Sequence, residues 1–205
     1  VRGGWAPYPS PAGLPLADFN GDDIADVALW SPEAGGAEGS VPCRLQVFDG
    51  GSGRPLWISS AIIVPDEGKL VWPEAVLGDL NDDGVPEVIV ARHHGYDGQH
   101  PGYLSELIVA DGRTGQIRWT WTWRSGFPDV WPPLVLPAGA AGPRVCLATR
   151  EEGFDGLVVL DATGQVQLRR PVTLTQNSLD AGRLVWRVVD PNHDGHGQLL
   201  YLDDG

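Results

Sequence analysis

Methionine is absent from all 205 residues, and the chain opens Val1-Arg2-Gly3-Gly4-Trp5. That opening is expected of a processed form, an excised segment or an incomplete chain, in which any secretory signal would have been lost too. Lysine occurs once, at Lys69, so arginine supplies nearly all of the 14 basic residues against 27 acidic ones, and the formal charge is −13. Nucleic acid and anionic membrane surfaces are poor partners for such a chain, because both need Lys and Arg to neutralise phosphate. No apolar run approaches the ~18 residues of a membrane span. No stretch sustains an i, i+3, i+4, i+7 pattern over three turns, which leaves no amphipathic helix. Gly-x-Ser-x-Gly, His-Glu-x-x-His and the phosphate-binding Gly-Lys-Ser/Thr loop are all missing, so no motif announces an enzyme.

Glycine (28) and proline (18) are abundant, while nine tryptophans and 42 % hydrophobic residues call for packed structure. Self-comparison supplies the organisation. Leu16-Ala-Asp-Phe-Asn-Gly-Asp-Asp-Ile-Ala-Asp26, Leu77-Gly-Asp-Leu-Asn-Asp-Asp-Gly-Val-Pro-Glu87 and Val188-Val-Asp-Pro-Asn-His-Asp-Gly-His-Gly-Gln198 share one pattern. The interval between the second and third is nearly twice the first. Midway lies a degenerate copy, Val135–Ala148, which keeps the apolar frame and has lost every carboxylate. A second motif is interleaved: Val47-Phe-Asp-Gly-Gly-Ser-Gly-Arg-Pro-Leu-Trp57, Val109-Ala-Asp-Gly-Arg-Thr-Gly-Gln-Ile-Arg-Trp119 and Val159-Leu-Asp-Ala-Thr-Gly-Gln-Val-Gln-Leu168. The last copy is one residue shorter and has Leu in place of Trp.

The unit is about 50–60 residues, with short β-branched runs between Gly/Asp turns. In the second unit the runs are Glu74–Leu80, Glu87–Ala91, Ser105–Ala110 and Gln116–Trp123. Four short antiparallel strands at this period predict an all-β chain of β-propeller type, with repeats at about 11–66, 70–126, 130–173 and 180–205, the last incomplete. About three and a half blades fall short of the four or more of a closed ring. The chain is expected to be part of a longer ring, to be completed by another chain, or to close a small ring by pairing its half-blade at Arg183–Asp204 with N-terminal residues. An open ring would expose strand edges, which soluble proteins avoid.

The first motif places oxygen-bearing side chains two apart, and alternate side chains of a curled loop point into its concave side. Asp18, Asn20, Asp22 and Asp26 occupy positions 1, 3, 5 and 9 of the first copy. Asp79, Asn81, Asp83 and Glu87 do so in the second, and Asp190, Asn192, Asp194 and Gln198 in the fourth. A backbone carbonyl at position 7 (Ile24, Val85 or His196) would add a ligand, with the residue at position 9 closing the shell. Hard oxygen donors in that number suit Ca²⁺. Gly84 and Gly195 at position 6 permit a positive-φ turn, where the first copy has Asp23. The three loops carry four, four and two carboxylates, a crowding that a cation would relieve. The plainer alternative is that these are only good hairpin turns.

These loops resemble the Ca²⁺-binding loops of FG-GAP/VCBS repeats, a family similar to the integrin α-subunit propeller and widespread in secreted bacterial proteins. Asp111-Gly-Arg-Thr-Gly-Gln-Ile-Arg-Trp119 resembles the Asp-x-x-Thr-Gly-x-x-x-Trp turn of quinoprotein-like blades. The resemblance implies a propeller fold, bound Ca²⁺ and a secreted, cell-surface or periplasmic setting. It implies no reaction, because propellers host many functions. Trp57 and Trp119 are expected to pack between blades, and no residue is assignable to a quinone.

Two other features carry possible chemistry. Arg92–Tyr103, with His93, His94 and His100, reads as an exposed loop between two strands, with a ligand or partner contact, or a metal or catalytic site, as alternatives. Trp119, Trp121 and Trp123 alternate on one face of a strand, either as blade packing or as a platform for sugars or a partner chain. Cys43, ahead of a third strand, and Cys146, on a second strand, are not equivalent in the repeat and are expected to be buried thiols rather than a disulfide. The functional expectation is a non-enzymatic calcium-binding module for protein or carbohydrate partners or for assembly. A propeller-type polysaccharide lyase or hydrolase, and a structural subunit of a larger complex or filament, are the alternatives.

Overall fold

The computed structural model describes residues 16–32, 40–59, 62–65, 74–96, 103–125, 133–139, 142–151, 153–171, 185–189 and 198–202. All of its regular elements are strands. The first group is β1 (Leu16–Ala17), β2 (Asp26–Pro32), β3 (Ser40–Phe48), β4 (Pro55–Ile58) and β5 (Ile62–Pro65). The second is β6 (Glu74–Gly78), β7 (Glu87–Tyr96), β8 (Tyr103–Ala110) and β9 (Ile117–Ser125). The third is β10 (Leu134–Gly139), β11 (Gly142–Glu151), β12 (Phe154–Asp161) and β13 (Val166–Pro171), and the chain ends with β14 (Val185–Val189) and β15 (Gln198–Leu202).

Each group is an antiparallel meander. Strands β1 to β4 pair in sequence order, with β5 added alongside the first half of β3. The second and third meanders form one eight-stranded sheet, yet among the described residues the only register pair joining them is Glu151 with Ser125. Strands β14 and β15 pair with each other. Among the described residues no sheet closes on itself.

The meanders stack face to face because the pleat sends alternate side chains to opposite sides. From β7 and β8, Val88, Val90 and Ile108 join Ala28, Leu45, Val47 and Trp57 of the first meander. Their neighbours Ile89, Ala91, Leu107 and Val109 join Val145, Leu147, Val158 and Leu160 of the third. The middle meander is therefore buried on both faces, which explains its uninterrupted apolar runs. Trp121 and Trp123 stack with centroids 4.9 Å apart and pack into this second core, so they are packing residues.

The interleaved motif forms the turn between the third and fourth strands of each meander. Asp49, Asp111 and Asp161 accept backbone N–H groups two to four residues ahead, at 2.7 to 3.2 Å. Gly53, Gly115 and Gly164 take φ of 68°, 69° and 83° in these turns. The same register shift follows in all three copies. This is the side-chain capping that makes Asp a turn residue.

These turns also join the meanders. The Trp57 indole Nε1 donates to the carbonyl of Gly112 at 2.7 Å, and the Trp119 Nε1 donates to that of Ala162 at 2.8 Å. A Cβ on Gly115 would collide with the Trp57 ring, and one on Gly164 would stand 2.8 Å from the Trp119 ring. Trp57 and Trp119 thus each lie on the turn of the next meander.

Two sequence expectations need correction. The segment after Ala91 is not a loop until Tyr96: β7 continues, with His93 opposite Ser105 and Tyr96 opposite Tyr103. The Arg92 Nε donates to the Glu106 carboxylate at 2.7 Å, a cross-strand ion pair that keeps the polar sequence extended. Residues 97–102, including His100, lie outside the described residues. Cys43 does not precede the third strand but lies within β3, where its register partners are Pro32 and Ile62. Cys146 is a free, buried thiol, and burial pushes its pKa up to about 11.

Candidate metal loops

The β1–β2 and β6–β7 connections carry the aspartate motif, and their hydrogen bonds match position by position. In the first, the N–H of Asp22 is shared between Asp18 Oδ1 at 3.1 Å and Asn20 Oδ1 at 2.9 Å. In the second, the N–H of Asp83 is shared between Asp79 Oδ1 at 3.2 Å and Asn81 Oδ1 at 3.0 Å. Asn20 Nδ2 then reaches Asp22 Oδ2 at 3.1 Å, and Asn81 Nδ2 reaches Asp83 Oδ2 at 2.8 Å. Positions 1, 3 and 5 therefore converge in both loops, on the exposed side.

The curl is closed by left-handed residues at positions 4 and 6. Gly21 and Asp23 take φ of 81° and 65° in the first loop, and Asp82 and Gly84 take 62° and 82° in the second. Glycine and aspartate exchange places between the copies. The sequence reading found position 6; position 4 was hidden because Asp82 carries no glycine to mark it. The N–H groups of Asp23 and Gly84 donate to the position-1 carboxylates at 2.8 and 2.9 Å.

Position 9 behaves differently. Asp26 is fully buried beneath its loop and accepts Phe19 N–H at 2.8 Å and Gly50 N–H at 2.9 Å. Glu87, equally buried, accepts Leu80 N–H at 2.7 Å and pairs with Arg118 Nη1 at 2.6 Å. Phe19 and Leu80, at position 2, are core residues. Each loop is thus pinned from below: the position-2 side chain enters the core, and its N–H is held by the carboxylate seven residues on. A buried carboxylate tolerates its site when N–H donors saturate it. The sequence signal for this anchor is the apolar residue after the first Asp, which the ligand pattern alone does not use.

Glycine follows from the same contact. A Cβ on Gly50 or Gly112 would run into the carbonyl of Ala25 or Pro86 in the aspartate loop beneath. The third meander has instead the β10–β11 hairpin in that place, with Gly139 opposite Gly142, and carries Ala162 at the corresponding position.

The electrostatics favour ionised loops. Partial burial pushes the Asp18 carboxyl up, but the N–H groups of Asp23, Gly21, Asp22 and Asn20 outweigh it and hold its pKa below the ordinary 3.8. The Val85 N–H, then the Asn81 amide, do the same for Asp83, with Arg113 and Arg118 contributing charge. The position-1, -3 and -5 oxygens retain lone pairs facing solvent, so their donor chemistry fits a hard divalent ion on the open side. Among the described residues no three His, Cys, Asp or Glu side chains come together as a metal-holding group. Positions 190–197, with Asp190, Asn192, Asp194 and His196, lie outside the described residues; Gln198 pairs with Val189 in β15. No protein-family model matches the chain, and no curated protein matches it.

Proposed function

We propose that the chain is a segment of a calcium-stabilised β-propeller that serves outside the cytoplasm as a binding or assembly module and catalyses no reaction. The observation that carries this reading is the shared geometry of the two aspartate loops, in which three oxygen-bearing side chains converge on one exposed point twice over. Asp18, Asn20 and Asp22 would hold one ion and Asp79, Asn81 and Asp83 another, with the Ile24 and Val85 carbonyls completing the protein's share. A divalent ion there neutralises carboxylates that otherwise repel. Its structural effect would reach the core, because each loop sits on its buried position-9 carboxylate.

The stacking of three meanders, each locked to the next by an indole, is the arrangement expected of consecutive blades. An assembly role is favoured by β13, the end strand of its sheet among the described residues, exposed along its whole length. The partner is a protein or a glycan, and the acidic surface speaks against nucleic acid. The test is the solution mass and melting temperature of the chain with Ca²⁺ and with excess chelator, together with activity on acidic and neutral glycans. Metal-dependent stability without turnover supports the reading. Turnover of any glycan, or indifference to chelator, overturns it.

A further inference from the structure

The two aspartate loops share their oxygen geometry and each carries four carboxylates, but they differ in the cations beside them. In the second meander Arg113, on the interleaved turn, reaches the β6–β7 loop. Its Nε stands 3.9 Å from Asp83 Oδ2, and its Nη2 stands 3.5 Å from the Asp83 carbonyl oxygen. Asp83 is position 5 of that loop. Beneath it, Arg118 Nη1 pairs with the position-9 carboxylate of Glu87 at 2.6 Å.

The first meander has neither guanidinium at the equivalent positions. The repeat puts Gly51 in the place of Arg113 and Leu56 in the place of Arg118. The place itself is the same. A Cβ on Gly51 would stand 4.0 Å from Asp22 Oδ2, so a side chain there would start beside the position-5 carboxylate. The first turn's own arginine, Arg54, stands at the Gln116 position, and its charge acts on Asp49.

We propose that Arg113 is the built-in counter-cation of the second loop and makes the two loops unequal toward Ca²⁺: the first fills at the lower concentration, and the second fills only as the guanidinium swings aside. This inference rests on the calcium reading of the loops. A monovalent and a divalent cation roughly 6 Å apart weaken binding by about tenfold even at the dielectric of water. The Arg113 and Asp83 side chains are 49 % and 38 % exposed, so salt screens their contact and the guanidinium can move away. The expected effect is therefore about three- to tenfold. Arg118, held by the buried Glu87, is the fixed part of the charge difference between the loops, and Arg113 is the movable part.

The experiment is a Ca²⁺ titration of the chelator-stripped 205-residue chain followed by NMR, with the backbone amides of Asp22 and Ile24 reporting the first loop and those of Asp83 and Val85 the second. In the parent chain the first loop should reach half-saturation at a Ca²⁺ concentration about three- to tenfold lower than the second. Arg113→Gln should lower the midpoint of the second loop by a similar factor and leave that of the first in place. Arg113→Lys keeps the charge and should leave both midpoints near their parent values. Equal midpoints in the parent chain overturn the proposal, and so does a second-loop midpoint that ignores Arg113→Gln or that falls as far in Arg113→Lys. In each of these cases both loops still bind and the calcium reading stands. No response of either loop to Ca²⁺ overturns the proposal and the calcium reading together.

Discussion

The buried carboxylate of Asp26 accepts the backbone N–H of Gly50 at 2.9 Å, tying the aspartate loop to the interleaved turn 24 residues away. Its other oxygen holds Phe19 N–H, so one side chain secures both turn systems of the first meander. Asp26→Ala strands two donors beneath the loop. It should lower unfolding free energy by about 1–3 kcal/mol, the cost of the one fully buried unpaired donor, the Phe19 N–H, with the part-buried Gly50 N–H adding less. Urea denaturation measures this; a loss below about 0.5 kcal/mol would show that the two N–H groups find water.

The close approach of the two turns makes a second prediction. Gly112→Ala drives a methyl into the Pro86 carbonyl, and Gly115→Ala drives one into the Trp57 ring at a φ of 69°. Each should cost about 2–4 kcal/mol through overpacking and backbone strain. Ala162→Gly in the third meander should stay within about 1 kcal/mol, the ordinary glycine penalty. Equal losses at all three positions would contradict the assignment of the contact.

Gly84 isolates the backbone contribution, because a Cβ there meets nothing within 4 Å although φ is 82°. Gly84→Ala should cost about 1–2 kcal/mol, the left-handed penalty of an L-residue. Gly84→Asp should cost clearly less, since Asp23 already occupies the equivalent position at a φ of 65°. Thermal melts of the two variants side by side decide it, and an Asp variant no more stable than the Ala variant would contradict it.

Much of this was legible in the sequence. The oxygen spacing at Asp18, Asn20 and Asp22 implied convergence, because a curled loop of any origin turns alternate side chains inward. The repeated Trp57 and Trp119 implied inter-sheet packing, because a large indole at a fixed place in a repeat needs a fixed socket. The anchoring role of Asp26 and Glu87 was not legible. It depends on Gly50 N–H and on Arg118, which only the fold brings near. The extension of β7 through His93 and His94 was hidden for a related reason. Gly95 and the polar residues around it read as loop, whereas the pairing of Arg92 with Glu106 is cross-strand and invisible along the chain.

Acid should destabilise the fold through its turn aspartates. Asp18, Asp49, Asp83 and Asp161 all ionise below the ordinary 3.8 in the folded chain. The Ser52 N–H does this first for Asp49, and the Thr163 hydroxyl first for Asp161. Depressed carboxylate pKa values contribute stability in full above the unfolded value, and the contribution vanishes as pH falls through the folded value. The melting temperature should therefore hold from neutrality to about pH 5 and fall below about pH 4. A chain whose melting temperature rises between pH 5 and pH 3 would contradict these assignments.

Calorimetric titration of the chelator-stripped chain with Ca²⁺ tests the calcium reading most directly. Heat of binding is expected for at least the two described loops, with a melting temperature several degrees higher in the loaded chain, and with one site lost in Asp22→Ala and another in Asp83→Ala. No binding heat and no shift in melting temperature would mean that the aspartates only shape the turns, and the calcium account would fall.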